Sequence, residues 1–316
     1  MADSEHLRLA VAELRELMGT RATPDAPIAR FTSFRLGGPA AVLCECEAET
    51  ELEAVSKVIR ENDLPVLVLG KGTNLLVSDS GFPGVAIRLG KGFEWISHEE
   101  ESILAAGGMA QLPRVANRAA RLGLSGLEFA IAIPATVGGA VKMNAGAHGS
   151  SISEVLDSAT VFNFNGGSST IVSADDLGMS YRHTNLTQDD IVSTARFRLQ
   201  PGVREEIAGR MDQYRRHRSE TQPVEAPNAG SMFRNPPGDS AGRLIEAAGL
   251  KELRIGNAEV SAKHANFFLA RPGSTAQEVF DLMARVQMQV EQTSGVLLIP
   301  EVTTVGEFDR EEQLRG

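Results

Sequence analysis

Apolar residues recur at helical spacing near the start of the chain: Leu7, Val11, Leu14 and Leu17 predict an amphipathic helix over 5–18. The stretch FTSFRLGG at 31–38 is rich in turn residues, and the apolar run 41–46 reads as a strand. Thr50 and Glu53 have the spacing of a capping box and predict a helix over about 51–62. A short apolar run at 64–69 follows, so 41–70 forms a candidate strand–helix–strand unit with a parallel pair.

Beyond Gly70 the pattern changes to short strand-like runs separated by glycines. Residues 111–122 predict a helix with Pro113 in its first turn. The segment 124–149 is nearly uncharged and rich in Gly and Ala. Strand-like runs follow at 156–164, 170–173 and 191–199, with Gly166-Gly167 as a hairpin turn. Pro201-Gly202 precedes a charged helix over 203–217 and a Pro/Asn/Gly-rich loop at 222–239. The remainder predicts a helix at 240–248 stopped by Gly249, a strand at 265–269, a helix at 275–293 and a strand at 296–299. Thr275 and Glu278 make a second capping box. No internal repeat or low-complexity segment interrupts this series.

Composition narrows the class. With 316 residues, 42 % hydrophobic and 23 % charged, the chain has the make-up of a globular protein of two or three domains. A net charge of −10 argues against a general nucleic-acid binder, although Arg215, Arg216 and Arg218 form a local basic cluster. The N-terminus carries acids and has no apolar core, so it does not read as a signal peptide. The longest apolar run, 130–141, is broken by Pro134, Gly138 and Gly139 and is too short to cross a bilayer. A cytoplasmic protein without membrane partners is expected. Cys44 and Cys46, two apart in a strand, cannot bridge each other and read as apolar filler; no metal site is expected.

Two glycine loops carry candidate chemistry. VLGKGTNLLVSDSGFPG (68–84) leaves a strand and packs Gly70, Gly72, Thr73 and Asn74 into one turn. Glycines let backbone approach a ligand, and successive N–H groups can form an anion nest. A tight structural turn has the same composition, and the loop is neither GxGxxG nor a Walker A sequence. IPATVGGAVKMNAGAHG (133–149) suggests backbone meeting ligand where a short helix begins, or equally a Gly/Ala packing surface.

Taken together with SYRHT, NAGSMFRNP, LIEAAGL, VSAKHANF and LIPEVTTVG, in that order, these stretches resemble the UDP-N-acetylenolpyruvoylglucosamine reductase (MurB) family over about residues 30–306. The resemblance implies a mixed α+β and α/β protein. An N-terminal helix at 1–30 would lead into a PCMH-type FAD-binding domain at 31–200, with subdomains at about 31–90 and 91–200. A C-terminal α/β substrate domain at 201–306 and a tail at 307–316 would follow. It further implies non-covalent FAD, NADPH as co-substrate, a UDP-sugar substrate and a cytoplasmic monomer that makes cell-wall precursors. FAD contacts would come from Gly70, Lys71, Gly72, Thr73, Asn74 and Leu75, and from Ile133, Pro134, Thr136, Gly138, Gly139, Ala140, Asn144 and Gly146. Tyr181, Arg218, Arg234 and Asn235 would touch the substrate.

Reduction of an enolpyruvyl double bond needs a hydride at one carbon, a proton at the next, and a group that tolerates charge developing beside the carboxylate. The resemblance assigns Arg182 to that carboxylate, Glu301 to its polarisation and Ser231 to proton donation. Without the motifs these would read as a surface arginine, a strand-end acid and an ordinary loop hydroxyl. The short stretch after SYRHT and the count of two tyrosines point to the class lacking an extra tyrosine-bearing substrate loop. His264 reads as structural, and Glu246 as a support for the substrate domain. Ala132 and Ala135 stand where the family has glycines; Thr73, His148 and Thr184 replace a usual Ser, Tyr and Ser. An oxidase of the same fold and a sugar-nucleotide binder without catalysis are the competing readings. The absence of a His or Cys tether for covalent flavin near the first loop argues against the oxidase, and the intact trio against both.

Overall fold

The computed structural model of the chain describes residues 2–223, 226–309 and 314–315, without the side chains of 2–4. Two residues of the expected 222–239 loop, Val224 and Glu225, and half of the expected 307–316 tail (310–313 and 316) lie outside the described residues. The chain is mixed α/β and divides into two compact units that do not follow chain order. The first comprises Met1–Ala26, Ala40–Lys71 and Gly84–His217; the second comprises Pro27–Pro39, Gly72–Pro83 and Arg218–Gly316.

In the first unit, a four-stranded sheet runs in the order Ala22–Pro27, Pro39–Cys46, Phe82–Leu89, Val66–Leu69. The runs 41–46 and 64–69 are thus strands of one sheet, but they are not neighbours. Phe82–Leu89 lies between them and is the parallel partner of Val66–Leu69, with Val66 opposite Val85. The connection is a helix about 10 Å wide, roughly twice the spacing of adjacent strands, which leaves a slot for the later strand.

That helix, Glu49–Glu61, starts after Ala48 with no side-chain cap, so the expected Thr50/Glu53 capping box is not used. Glu51 does the work instead: its carboxylate accepts the Glu47 N–H at 2.8 Å and the Arg21 guanidinium at 2.6 and 3.0 Å. Leu52, Val55, Val58 and Ile59 form its buried stripe. The N-terminal helix, Ala2–Met18, turns Ala10, Leu14 and Met18 into the same core. Leu17, expected on the buried face, is 47 % exposed. Cys44 and Cys46 are buried in this core as free thiols, and desolvation pushes Cys44 up to about 12.

The unit's second sheet is antiparallel, in the order Ser168–Ser173, Leu156–Asn163, Asp190–Arg198, Ile103–Gly107, Ile96–Glu100. The Gly166-Gly167 turn joins the first pair, with Gly167 at φ 69°. The Leu112–Leu122 helix packs Leu112, Val115, Ala116 and Ala119 into the core that contains Leu104, Val161 and Phe197. Ile207 and Met211 of the Arg204–Thr221 helix join it.

The second unit has a three-stranded antiparallel sheet, Arg254–Ile255, Ala258–Val260 and Phe268–Ala270, and the helices Ala241–Ala247 and Ala276–Ser294. The Thr275/Glu278 capping box forms as expected. Asp79 adds two more acceptors there, taking the Ala276 and Gln277 N–H groups at 2.9 and 3.0 Å. Residues 296–299 do not form a strand. Gly295 at φ 73° ends the helix, and the Leu298 carbonyl is taken by the buried Gln287 side chain at 2.7 Å rather than by a ladder. The closing strand is Thr303–Val305, paired in parallel with Leu75–Val77. Among the described residues no helix is long and apolar enough to cross a membrane.

Candidate active site

The first glycine turn follows from the strand Val66–Leu69. Gly72 lies at φ 57°, and a Cβ there would come within 2.1 Å of the Phe31 carbonyl oxygen, so only glycine fits. Its own carbonyl is held by the Ser33 N–H at 3.1 Å. Among the described residues, the backbone N–H groups of Lys71, Gly72 and Thr73 reach no acceptor on the protein. Three consecutive unspent donors are what an anionic group needs from a backbone nest. Asn74 is committed elsewhere: its side-chain amide donates to the Glu301 carbonyl at 2.9 Å, and its carbonyl accepts Thr303 N–H at 3.0 Å. Leu75 opens the strand that pairs with Thr303.

Gly70 abuts the second loop within the first unit: a Cβ on Gly70 would meet the Thr136 hydroxyl at 2.7 Å. Thr136 caps the short helix Val137–Lys142 by accepting the Gly139 N–H at 3.3 Å. The other amides at this helix start are also spent, Val137 on the Ala110 carbonyl and Gly138 on that of Gly108. The second loop therefore brings backbone close without offering donors at 137–139, unlike the first. Gly138 is glycine because a Cβ would meet the Val192 carbonyl at 2.8 Å. Neither Ala132 nor Ala135 has a positive φ, so the methyls found in place of the usual glycines cost no backbone strain. Ile133 and Pro134 are half-buried, and Ala140 is fully buried in the core.

The segment after this helix is locked to the SYRHT turn. Asn144, buried at φ 41°, donates to the Ser180 carbonyl at 2.7 Å and accepts the Ser153 N–H at 3.0 Å. Thr184 donates to the Lys142 carbonyl at 2.7 Å. Arg182 sits at the tip of the turn at φ 55°, with its guanidinium donating to the Gly146 carbonyl at 2.8 Å and lying 5.2 Å from the Tyr181 ring centre. Tyr181 is exposed. The positive φ at a non-glycine residue is the kind of local strain that clusters at functional positions.

Ser231 and Glu301 belong to the second unit and lie on adjoining backbone. The Glu301 N–H donates to the Met232 carbonyl at 2.8 Å, Phe233 bridges Pro300, and the Arg234 N–H donates to the Ile299 carbonyl at 2.8 Å. Ser231 itself bridges Phe267. Asn266, absent from the expected site, organises this crossing. Its buried side chain accepts the Phe233 N–H at 3.0 Å and donates to the Phe233 carbonyl at 2.8 Å, while its carbonyl accepts the Met232 N–H at 2.9 Å. Its position in KHANF was the available signal. Arg182 lies in the first unit.

The remaining expected substrate contacts are dispersed. Arg234 is half-buried with its Nε lacking a hydrogen bond, and exposed Asn235 accepts the Ala241 N–H at 3.1 Å. Burial lowers the Arg218 pKa without neutralising an arginine. Arg215 pairs with Asp212 at 2.5 Å and with Asn117 at 3.0 Å. His264 accepts the Asn266 N–H at 3.2 Å and packs on Phe267, consistent with a structural role. Glu246 forms an ion pair with Lys251 at 2.6 Å on the surface. Among the described residues no group of His, Cys, Asp or Glu could hold a metal ion.

Unspent amides at a strand-borne glycine turn are what the phosphates of a nucleotide need from backbone. Residues 39–172 match the FAD binding domain family, and residues 222–305 match the C-terminal domain of UDP-N-acetylenolpyruvoylglucosamine reductase. The chain is 45 % identical to UDP-N-acetylenolpyruvoylglucosamine reductase 2 of Symbiobacterium thermophilum, over 89 % of this chain and 91 % of that one. It is 44 % identical to the enzyme of that name from Agathobacter rectalis, over 90 % and 94 %. The crystal structure of UDP-N-acetylenolpyruvylglucosamine reductase (MurB) from Thermus caldophilus superposes with a TM-score of 0.77 at 37 % identity, covering 90 % of this chain and 98 % of that one. The chain belongs to the UDP-N-acetylenolpyruvoylglucosamine reductase family and is a flavin-dependent oxidoreductase. Its fold is the expected one, an FAD-binding domain joined to the family's C-terminal domain.

Proposed function

We propose that this chain reduces UDP-N-acetylglucosamine enolpyruvate to UDP-N-acetylmuramate, with NADPH as reductant and non-covalent FAD as cofactor, in the supply of peptidoglycan precursors. The observation that carries the reading is the tie between the glycine turn and the acid: Asn74 holds the Glu301 carbonyl, and Glu301 in turn is bonded to the residue after Ser231. The unspent amides at 71–73 fit a cofactor pyrophosphate, with Gly70, Thr136 and Gly138 letting backbone come close. Bound FAD would supply the hydride carrier, taking a hydride from NADPH and passing it to the methylene carbon of the enolpyruvyl group.

The residues of the chain handle the charge that results. Hydride addition at the methylene carbon leaves negative charge on the neighbouring carbon, delocalised into its carboxylate. Arg182, permanently cationic, binds and stabilises that carboxylate as charge builds on it. Glu301 polarises the same group. The Ser231 hydroxyl delivers the proton to the carbon and is restored from solvent. Tyr181, Arg218, Arg234 and Asn235 serve the sugar nucleotide. Both substrates are water-soluble nucleotides, which suits a cytoplasmic monomer needing neither membrane nor nucleic acid.

The test is direct. Purified protein should carry a yellow flavin and oxidise NADPH only when the enolpyruvyl sugar nucleotide is present. Oxidation without it, with hydrogen peroxide released, would mark an oxidase. Colourless protein that still binds the sugar nucleotide would mark a binding protein.

A further inference from the structure

The His148 imidazole stacks on the Tyr214 ring, with centres 3.9 Å apart and planes within 9°, and His217 meets His148 edge-on at 5.4 Å. All three belong to the first unit. His148 and Gly149 are the centre of a two-residue hairpin turn between Gly146–Ala147 and Ser150–Ser151, at φ 55° and 82°. Two positive φ values make the mirror-image turn that matches strand twist, and a non-glycine residue there carries strain that another contact must offset. The stack supplies that contact. Tyr214 is itself anchored, packed against the main core from the Arg204–Thr221 helix. Burial, and then the charge of His217, lower the His148 pKa, so the stacked ring is neutral at pH 7.

The hairpin matters because of its first residue. Gly146 provides the carbonyl that receives the Arg182 guanidinium at 2.8 Å. That guanidinium lies against the exposed Tyr181 ring and donates to this backbone oxygen. We propose that His148 and Tyr214 are positioning residues: their stack clamps the hairpin so that the Gly146 carbonyl aims Arg182 at the substrate carboxylate. The inference rests on the role given to Arg182 above. It asks only for a flat ring at 148, so an imidazole and a benzene ring serve alike.

The test separates the two half-reactions on flavin-loaded protein. His148→Ala is expected to slow flavin reoxidation by the enolpyruvyl sugar nucleotide by about 10-fold, with a raised KM for it, while flavin content and reduction by NADPH stay within about 2-fold. His148→Phe should restore reoxidation to within about 2-fold, and Tyr214→Phe should be tolerated where Tyr214→Leu is not. In an Arg182→Ala background, His148→Ala should cost no further rate, because the residue it positions is gone. Unchanged reoxidation in His148→Ala, or a full 10-fold loss on top of Arg182→Ala, overturns the clamp. Unchanged reoxidation in Arg182→Ala alone instead rejects the role of Arg182.

Discussion

The side-chain amide of Asn74 donates to the main-chain carbonyl of Glu301 at 2.9 Å, and two residues further on its own carbonyl takes the Thr303 N–H. A residue of the glycine turn thus fixes the backbone on both sides of Val302, immediately after the acid proposed to polarise the substrate. Cofactor turn and acid cannot shift independently without breaking these bonds.

Asn74→Ala removes this half-buried side-chain bond, which contributes about 1 kcal/mol of stability. Flavin reoxidation by substrate should fall by roughly 10-fold, as expected when a reacting group is displaced by a fraction of an ångström. Stopped-flow reoxidation measures this directly; a rate equal to that of the unaltered protein would show that the tie has no catalytic consequence.

Gly72→Ala faces both a positive φ and the Phe31 carbonyl at 2.1 Å. Left-handed backbone alone costs an alanine about 1–2 kcal/mol, and the clash adds to it. Gly249→Ala, at φ 72° with open space around it, should show only the backbone part. Urea midpoints of the two variants should therefore differ, with Gly72→Ala the lower and depleted in flavin.

Glu128 is buried beside Arg210, whose guanidinium reaches it at 2.6 Å, with the Ser125 hydroxyl and Gly126 N–H each at 2.7 Å. Burial pulls its pKa up, but these donors outweigh burial and the net value lies below that of an ordinary glutamate. A lowered folded-state pKa contributes stability at pH values above the unfolded one, and that contribution disappears as pH falls through the folded value. Glu128→Gln should lower stability near neutral pH by about 2 kcal/mol and flatten the acid limb below about pH 4.5. Chemical denaturation from pH 3 to 7 tests both features.

Cys44, pushed up to about 12 and buried, should resist alkylation in the native protein at pH 8, as should Cys46. Mass spectrometry after iodoacetamide treatment should find neither labelled until denaturant is added, and both labelled afterwards.

Helices with strong apolar spacing and a sealed end were legible in the sequence. Thr275 with Glu278 marked one helix start, and Gly249 a helix end. What long-range bonding decides was not. Thr50 and Glu53 had the spacing of a cap, but Glu51 was recruited by Arg21, thirty residues away. The apolar run 296–299 looked like a strand until Gln287 took the Leu298 carbonyl. Insertion of Phe82–Leu89 between two strands joined by one helix is likewise invisible to local pattern.

At the site, the glycine turn was visible as composition, whereas the division of labour between its residues was not. Gly72 is dictated by a carbonyl from Phe31, and Asn74 faces Glu301, 227 residues later. Asn266 was hidden for the same reason: its three bonds to Met232 and Phe233 join segments far apart in the chain.

The most direct measurement is an anaerobic flavin spectrum of the unaltered protein and of Ser231→Ala. With NADPH both should bleach at similar rates. On addition of the enolpyruvyl sugar nucleotide, the unaltered protein should regain its colour at once, and Ser231→Ala more slowly by several orders of magnitude. Recovery at equal rates in the two proteins, or failure of the unaltered protein to recover at all, would contradict the account.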